Sequence, residues 1–391
     1  MKVLHVIPSL SPSQGGPSFA MPLMAGALRK LGVEVDIATT DDDGPGRRTQ
    51  GTTGHRVQED GCRVFYFPKQ TEFYKVSLPL RKWLRENVQS YDVVHAHALF
   101  SFSSLAAARM ARRKRVPYVI RPLGVLNRWG MENRRRWLKA LSFRLLELPM
   151  LRSAAAMHYT SRMELEEASR FGLSCLQRVI PIGVDLTPFE QLPLPSVFAQ
   201  RHPEVAGTRN LLFLSRIDVK KGIDLLIAAF ARLSPREKKL RLIICGDGDP
   251  VLVESLKQQA ADAGVAGDIT WAGQVGGEQR LAAFASAELF VLPSHSENFG
   301  IALLEAMAAG LPCVSTDQVA LAVDAAAHVA VKIAAREPAA LAEAIQSLLD
   351  SESERLRMSQ AARRLAQEEY SLDAMGGALH QLYRDVLPNQ P

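Results

Sequence analysis

Residues 292–316, LPSHSENFGIALLEAMAAGLPCVST, decide how the second half of the chain folds. They overlap LFVLPS (289–294), an apolar run that is typical of a buried strand. IALLEAMAAG (301–310) then has the composition of a helix, ended by Gly310 with Pro312 beyond it. The stretch therefore predicts a strand, a polar loop and a helix, with one carboxylate in the loop and another in the helix.

The same alternation of apolar runs and helical patterns extends outward from this stretch. Further strand candidates are KVLHVI (2–7), VEVDIAT (33–39), CRVFYF (62–67), DVVHAH (92–97), PYVIR (117–121), AMHYTS (156–161), NLLFLSR (210–216), RLIICGDG (241–248), ITWAG (269–273) and PCVST (312–316). Strands that alternate with helices and are apolar throughout predict parallel sheets covered on both faces.

A proline-rich stretch without periodicity, residues 180–204, separates two such halves and is typical of an interdomain linker. We therefore predict an α/β protein of two Rossmann-like, doubly wound domains that face each other across a cleft. The predicted domains are 1–188 and 189–370, and a C-terminal helix over 371–391 could cross back to the first. Ligands of such folds bind at the carboxyl ends of the strands.

Composition narrows the class of protein. The chain of 391 residues is 47% hydrophobic and 23% charged, as expected of a soluble globular protein. Its four cysteines form no C-x-x-C pair, which argues against a disulfide framework or a zinc site and suits a reducing cytoplasm. The first apolar run is too short for a signal peptide or a membrane span.

The positive charge is concentrated in one segment. From Arg112 to Arg152 there are twelve Arg and Lys against two Glu, an excess of ten, while the chain's net charge is +6. Tryptophans, leucines and a phenylalanine are interleaved with the cations over 127–148. Such a segment can lie on an anionic membrane, bind an acidic or diphosphate-linked acceptor, or be a solvated helix face over the core. Nucleic acid is disfavoured because no binding module accompanies the charge.

Glu297 and Glu305 suggest recognition of one long polar ligand. Glu297 lies in the loop with Asn298, and Glu305 lies about one turn into the helix. The helix start, Phe299–Ile301 with Gly300, offers backbone N–H groups and a partial positive charge. The alternative interpretation is that Glu297 is an exposed loop or capping residue and that Glu305 is a surface residue of the helix. A carboxylate in a nearly apolar helix is costly without a partner, which favours a functional role.

Three loops that follow strands carry phosphate-binding chemistry. LSRIDVKKGID (214–224) places Arg216 and Lys221 between a strand and a helix, where two cations suit a diphosphate. CGDGD (245–249) with Gly246, and SQGGPSFA (13–20) with Gly15 and Gly16, allow close backbone approach to a ligand. Neither glycine loop has the G-x-G-x-x-G spacing, which argues against a dinucleotide cofactor.

VHAHALF (94–100) places His95 and His97 on one face at the end of a strand. Two histidines could begin a metal site, but no third ligand is evident nearby, so no metal is expected. We expect one of the two to donate a hydrogen bond at the cleft. A buried histidine whose hydrogen bonds are satisfied is the alternative, and for His95 it is the better interpretation.

Together these stretches resemble the retaining glycosyltransferases of family 4, which have the GT-B fold. The resemblance is carried by the glycine loop, by DVVHAH (92–97), by VIPIGVD (179–185), by SRIDVKKG (215–222) and above all by the Glu-x7-Glu stretch of 292–316. Ile182 and Ser215 depart from the Asn and Gly of the family pattern. The loop after Cys313 lacks the glycines that many relatives carry, so no role is assigned there.

The resemblance implies roles for single residues. Arg216 and Lys221 would bind the donor diphosphate, Glu305 the ribose and Glu297 the transferred sugar. The expected catalytic residues are Glu297, His97, Arg216 and Lys221. The expected donor-binding residues are Gly16, Arg216, Lys221, Gly246, Gly273, Val275, Asn298, Phe299, Gly300, Ile301 and Glu305, and the acceptor-side candidates are Gly15, Arg121 and Arg128.

The resemblance also implies an activity, namely transfer of a sugar from a nucleoside-diphosphate sugar to a hydroxyl with retention. UDP-sugars are favoured over GDP-mannose, a glycan or lipid-linked oligosaccharide is the expected acceptor, and bacterial surface or exopolysaccharide synthesis is the expected setting. The first domain would bind the acceptor and the second the donor, in the cytoplasm or at the inner face of the plasma membrane. The alternatives are a sugar-nucleotide epimerase of the same architecture and a non-catalytic membrane-surface scaffold.

Overall fold

The computed structural model describes residues 1–14, 16–49, 54–57, 61–126, 140–233 and 239–387. The chain divides into two compact units. The first comprises Met1–Gly183 together with Leu372–Pro391, and the second comprises Val184–Ser371. Among the described residues, no helix is long and apolar enough to cross a membrane.

The first unit is built on an eight-stranded sheet in the order β3-β4-β2-β1-β5-β6-β7-β8. Its strands are β1 (Lys2–Ser9), β2 (Glu34–Thr40), β3 (Gly54–Val57), β4 (Arg63–Phe67), β5 (Val93–His97), β6 (Tyr118–Arg121), β7 (Ala156–Tyr159) and β8 (Leu176–Val179). Among the strands that the structure describes in this sheet, only β3 runs antiparallel to its neighbour. Because the other strands are parallel, their carboxyl ends meet at one edge.

Helices cover both faces of this sheet, as expected for buried parallel strands. They are α1 (Gly16–Lys30), α2 (Leu78–Asn87), α3 (Phe102–Lys114), α4 (Leu148–Arg152), which continues a π-helical turn over Phe143–Glu147, α5 (Arg162–Ser169) and the C-terminal α15 (Leu372–Val386). Helices α1 and α15 pack closely, since a Cβ on Gly376 would lie 3.1 Å from that of Ala27. The last helix thereby belongs to the core of the first unit.

The second unit is built on six parallel strands in the order β11-β10-β9-β12-β13-β14. The strands are β9 (Arg209–Leu214), β10 (Leu240–Cys245), β11 (Ile269–Gly273), β12 (Leu289–Leu292), β13 (Cys313–Thr316) and β14 (Val331–Ala334). Its helices are α6 (Thr187–Glu190), α7 (Pro195–Ala199), α8 (Ile223–Leu233), α9 (Pro250–Asp262), α10 (Gly277–Ala285), α11 (Ile301–Ala308), α12 (Ala320–Ala326), α13 (Pro338–Asp350) and α14 (Glu352–Glu369).

The predicted fold class is confirmed, since both units are doubly wound α/β structures. Three strands, β3, β8 and β14, were not predicted from the sequence. Each is four residues long and lies at the edge of its sheet. Edge strands need no apolar side chains on both faces, so they lack the continuous apolar run by which the central strands were recognised.

Candidate functional site

Two glycines allow the loops of the second unit to contact one another closely at the carboxyl edge of its sheet. Gly222 ends the 3-10 turn after β9 with φ +67°, and a Cβ there would overlap the carbonyl oxygen of Pro293. Gly246 has φ +144°, and a Cβ there would overlap the carbonyl oxygen of Ser215. The loops after β9, β10 and β12 are therefore in van der Waals contact, which only glycine permits at these two positions.

The loop after β11 joins this group. The backbone N–H of Gly246 donates to the carbonyl of Gly273, with an N···O distance of 2.7 Å. Gly273 has φ +65° and begins the turn that leads through Val275 into α10. The predicted donor-binding residues Gly273 and Val275 thus lie on the loop next to that of Gly246.

Lys221 and Glu297 form an ion pair in which the ammonium donates to a carboxylate oxygen. Both side chains are largely buried, with 16% and 21% of their surface exposed. The backbone of Glu297 is held as well, since its N–H donates to the carbonyl of Gln318 at 2.9 Å. An ammonium has three donors, so Lys221 can hold Glu297 and still bind an anion.

Arg216 lies in the same loop but is differently placed. Its side chain is 67% exposed, and its guanidinium is 4.0 Å from the carboxylate of Asp218. Asp218 also caps the following turn by accepting from the backbone N–H of Lys220 at 3.0 Å. Arg216 can therefore bind a solvent-exposed anionic ligand at a low cost in free energy. Asp218, the carboxylate nearest to it, is partly exposed and stays solvated if Arg216 moves away.

Glu305 pairs with Arg280 of α10, and the guanidinium donates to its carboxylate. Burial raises the pKa of Glu305, and the charge and hydrogen bond of Arg280 oppose that shift. The carboxylate that was expected to need a partner in this apolar helix has one within the protein, Arg280, so its burial alone does not indicate a ligand. The sequence did not reveal Arg280 because a lone arginine in an amphipathic helix is usually a solvated surface residue.

The start of α11 lies between the two glutamates. Gly300 precedes the helix with φ +102° and accepts from the N–H groups of Leu303 and Leu304 at 2.9 and 3.1 Å. Phe299 is buried, Asn298 is half-buried and Ile301 is the first helical residue. The structure thus brings all the predicted donor-binding residues of the second unit to the carboxyl edge of its sheet.

In the first unit, His97 and Arg121 end neighbouring strands and are paired in register. Arg121 is buried, and its Nε and Nη1 have no hydrogen-bond partner among the described residues. Burial lowers its pKa to about 10. Gly16 is the first residue of α1, which follows β1 at the same edge. Gly15 and Arg128 lie outside the described residues.

A cluster of histidines lies beneath this edge. Besides His95 and His97 it includes His5 and His158, all fully buried. The sequence signal for His5 and His158 is one histidine in each of the predicted strands KVLHVI (2–7) and AMHYTS (156–161), besides the two in DVVHAH (92–97). His5, His95 and His97 have ring nitrogens within 4.8 Å of one another, a spacing that a metal ion could use.

A cation in this cluster is disfavoured by its neighbours. Nδ1 of His5 lies 2.9 Å from Nε2 of His97, a hydrogen bond that a metal ion would have to replace. Burial lowers the pKa of His97 well below its usual value, and the charge of Arg121 lowers it further. The same guanidinium would repel a metal cation. The expectation of no metal stays a prediction.

Unusual backbone conformations also gather around the carboxyl edge of the first sheet. Among the described residues of these loops, five other than glycine have positive φ: Tyr74, Lys75, Ala98, Phe100 and Leu123. Each costs free energy that the surrounding structure must supply, and such residues are concentrated at ligand sites.

Glu147 forms hydrogen bonds with two of these residues, Tyr74 and Phe100, and was not predicted as a site residue from the sequence. It is fully buried, and its Oε1 accepts from the hydroxyl of Tyr74 at 3.0 Å. The backbone N–H of Phe100 is also a hydrogen-bond partner of this carboxyl. Burial raises the pKa of Glu147 to about 7, so it is partly protonated near neutral pH.

Comparison with family models gives two adjacent matches. The model described as "Glycosyl transferase 4-like domain" matches residues 15–183. The model described as "Glycosyl transferases group 1" matches residues 198–365. The two matches together cover most of both compact units.

Curated relatives agree with these models. A D-inositol 3-phosphate glycosyltransferase of Pseudarthrobacter chlorophenolicus is 29% identical over 393 residues, covering 93% of this chain and 90% of that protein. Alpha-monoglucosyldiacylglycerol synthase of Streptococcus pneumoniae is 32% identical over 146 residues, covering 36% of this chain and 32% of that protein. For that synthase, and for the glycogen synthase of Mycobacterium tuberculosis at 44%, the match spans less than half the relative's length.

Solved structures show the same fold over the entire chain. HepE of Anabaena in complex with UDP has a TM-score of 0.80 at 19% identity, covering 98% of this chain and 100% of that chain. Sucrose-phosphate synthase from Thermosynechococcus elongatus has a TM-score of 0.77 at 20% identity, covering 99% of both chains.

Proposed function

Because the chain belongs to the group 1 glycosyltransferases, we propose that it transfers a hexosyl unit from a nucleoside-diphosphate sugar to a hydroxyl group. The observation that carries this proposal is the Lys221–Glu297 pair beside the N-terminus of α11. It combines a cation for a diphosphate with a carboxylate for sugar hydroxyls. UDP is the favoured nucleotide, a choice supported by the UDP present in the HepE complex.

The diphosphate is the leaving group, so negative charge develops on it as the sugar departs. Arg216, Lys221 and the N-terminus of α11 supply positive charge at this edge of the sheet. Fixed positive groups stabilise developing charge because they need little reorganisation during the reaction. These protein groups supply the charge compensation for which other transferases use a metal, so we propose that none is required.

The sugar is held on the other side of its reacting carbon. Glu297 accepts hydrogen bonds from its hydroxyls, in a position that Lys221 and the backbone contact with Gln318 keep constant. The bond from the anomeric carbon to the diphosphate oxygen breaks, and a bond to the acceptor oxygen forms on the same face. Bond formation on the face that the diphosphate leaves gives retention, and the acceptor proton passes to an oxygen of the departing diphosphate.

The nucleoside is recognised at the neighbouring loops. Glu305, kept available as a carboxylate by Arg280, accepts from the ribose hydroxyls. The backbone around Gly273 and Val275 contacts the base. In the first unit, His97 and Arg121 bind sugar hydroxyls at the ends of β5 and β6.

Nucleotide binding tests the diphosphate site directly. We expect Arg216→Ala to weaken UDP binding about tenfold to a hundredfold, since a charge-assisted hydrogen bond to phosphate contributes about 1.5–3 kcal/mol. UDP, GDP, ADP and TDP would be titrated calorimetrically into wild type and variant. Arg357→Ala, an exposed arginine of α14, is the matched control and should bind as wild type does. If none of the four nucleotides bound to the wild-type protein, the proposed function would be contradicted.

The acceptor is proposed to be a glycan or a lipid-linked oligosaccharide of the bacterial surface, used at the cytoplasmic face of the membrane. Leu141 and Leu145 are 51% and 62% exposed, and Arg144 between them is exposed as well. These three residues belong to the basic segment 127–148. Residues 127–139 of that segment lie outside the described residues. Exposed leucines beside cations suit the boundary of an anionic bilayer.

Vesicle binding tests this surface. Leu141→Glu with Leu145→Glu should reduce co-sedimentation with phosphatidylglycerol vesicles at least tenfold, because it removes apolar contacts and adds two negative charges. Leu356→Glu, an exposed leucine of α14, is the control. If wild type stays in the supernatant with anionic vesicles at low salt, membrane contact is excluded and the acceptor proposal narrows to soluble glycans.

A further inference from the structure

The histidine cluster is a row of polar side chains on one face of the first sheet. Strand register places His5 beside His95 and His97 beside Arg121. His158 lies two residues beyond Ala156, which is paired with Val119 on the same face. Apolar residues of this face pack against α1 and α15, so the row is enclosed by core. Buried polar groups need hydrogen-bond partners. The direction of each bond in this row therefore decides which ring nitrogen of each histidine carries the proton.

The direction can be read from one end of the row. Nε2 of His158 lies 2.9 Å from the carbonyl oxygen of Ile180, which can only accept, so this nitrogen carries a proton. Burial and the charge of Arg121 lower the pKa of His158 to about 3, so its ring is neutral and Nδ1 is bare. That Nδ1 lies 3.3 Å from Nε2 of His95, which must therefore be the donor.

The remaining bonds follow in sequence. Burial also lowers the pKa of His95 well below its usual value, so its ring is neutral and its Nδ1 is bare. This Nδ1 accepts from the hydroxyl of Tyr383 at 2.8 Å, which leaves the Tyr383 oxygen as the acceptor for Nε2 of His5 at 3.4 Å. His5, whose pKa burial lowers to about 3, then has a bare Nδ1, and Nε2 of His97 donates to it at 2.9 Å.

The chain of bonds ends at His97. Because its Nε2 donates and burial keeps the ring neutral, its Nδ1 carries a lone pair and no proton. Nδ1 is buried and has no hydrogen-bond partner among the residues that the structure describes. Beside it in register, Arg121 has two donor nitrogens, Nε and Nη1, without partners there.

We propose that Tyr383, His5, His95 and His158 are positioning residues that fix His97 as the tautomer whose Nδ1 accepts a hydrogen bond from a substrate hydroxyl. A hydroxyl both donates and accepts, so it can donate a hydrogen bond to Nδ1 of His97 and accept one from Arg121. A phosphate or carboxylate oxygen has no proton to give to Nδ1. The group bound here is therefore a sugar hydroxyl. The proposal rests on the proposed function for the identity of the substrate, but the tautomer does not depend on it.

Tyr383→Phe in the full chain tests the relay, since it removes the hydroxyl that joins His95 to His5 and keeps the ring. Two-bond ¹H–¹⁵N correlation spectra of ¹⁵N-histidine-labelled protein distinguish a bare from a protonated Nδ1 in each of the nine histidines. His97→Asn identifies the signals of His97. We expect a bare Nδ1 on His97 in wild type and mixed tautomers in Tyr383→Phe. Sugar transfer should fall about tenfold, the worth of one hydrogen bond, with UDP affinity unchanged.

Tyr118→Phe is the matched control. Tyr118 is also buried in the first unit, and its hydroxyl bonds to Met150 and Ser153 rather than to the histidines. It should lose a comparable amount of stability and leave the tautomer of His97 unchanged. A merely structural role for Tyr383 would give both variants the same spectrum and the same transfer rate.

Other outcomes separate the two proposals. A protonated Nδ1 on His97 in wild type overturns the relay, and this result does not depend on whether Tyr383→Phe folds. Loss of the Nε2 proton signals of His97 and His5 on adding one equivalent of Zn²⁺ would also overturn it, in favour of a metal site. A bare Nδ1 in a protein that binds none of the four nucleotides would leave the tautomer in place and defeat the proposed function alone.

Discussion

Glu297→Gln is expected to lower the rate of sugar transfer by about 10²–10³-fold while the fold persists. The amide keeps the shape of the side chain but removes the charge that holds Lys221 and accepts from the sugar hydroxyls. Because Lys221 remains and the other cation is on Arg216, UDP should bind within about tenfold of wild type. The rate is measured as UDP release from the UDP-sugar that binds most tightly.

Glu288→Gln is the control for this variant. Glu288 directly precedes β12, at the end of the strand opposite to Glu297, and it also forms ion pairs, with Arg209 and Arg355. It should lose stability without losing transfer. A Glu297→Gln enzyme with nearly wild-type turnover would remove Glu297 from the catalytic residues.

Gly246→Ala is expected to destabilise the second unit by about 4 kcal/mol and to abolish nucleotide binding. A Cβ at this position would overlap the carbonyl oxygen of Ser215, and φ +144° is a conformation that other residues avoid. Each effect costs about 1–3 kcal/mol. To relieve the overlap, the loop that carries Arg216 must move. Calorimetric melting should show the transition of this unit about 10 °C lower.

Gly267→Ala provides the comparison within the same unit. A Cβ on Gly267 meets no atom within 4 Å, and its φ is not positive. This variant should melt within about 2 °C of wild type, because a surface substitution of this kind changes stability by about 0.5 kcal/mol. Equal melting of the two variants would show that the contact between the loops after β9 and β10 is not needed.

The candidate site was predicted to different extents in its two parts. In the second unit, every predicted residue lies at or after the carboxyl end of a strand. The rule that parallel strands bind ligands at these ends was therefore sufficient to place them together. Arg280 was not predicted from the sequence, because its partner Glu305 is distant along the chain and no local pattern indicates an ion pair. His5, His158 and Tyr383 escaped for the same reason, and Tyr383 lies 288 residues from His95.

The amino-acid sequence alone determined the class of fold, the central strands and the glycosyltransferase family, because these depend on local periodicity and on motifs of neighbouring residues. The tertiary structure decided which charges are paired and which ring nitrogens carry protons. Those properties depend on burial and on contacts between strands and helices far apart in the chain. His97 is the clearest case: its position follows from DVVHAH, but its tautomer follows from a chain of hydrogen bonds closed by the C-terminal helix.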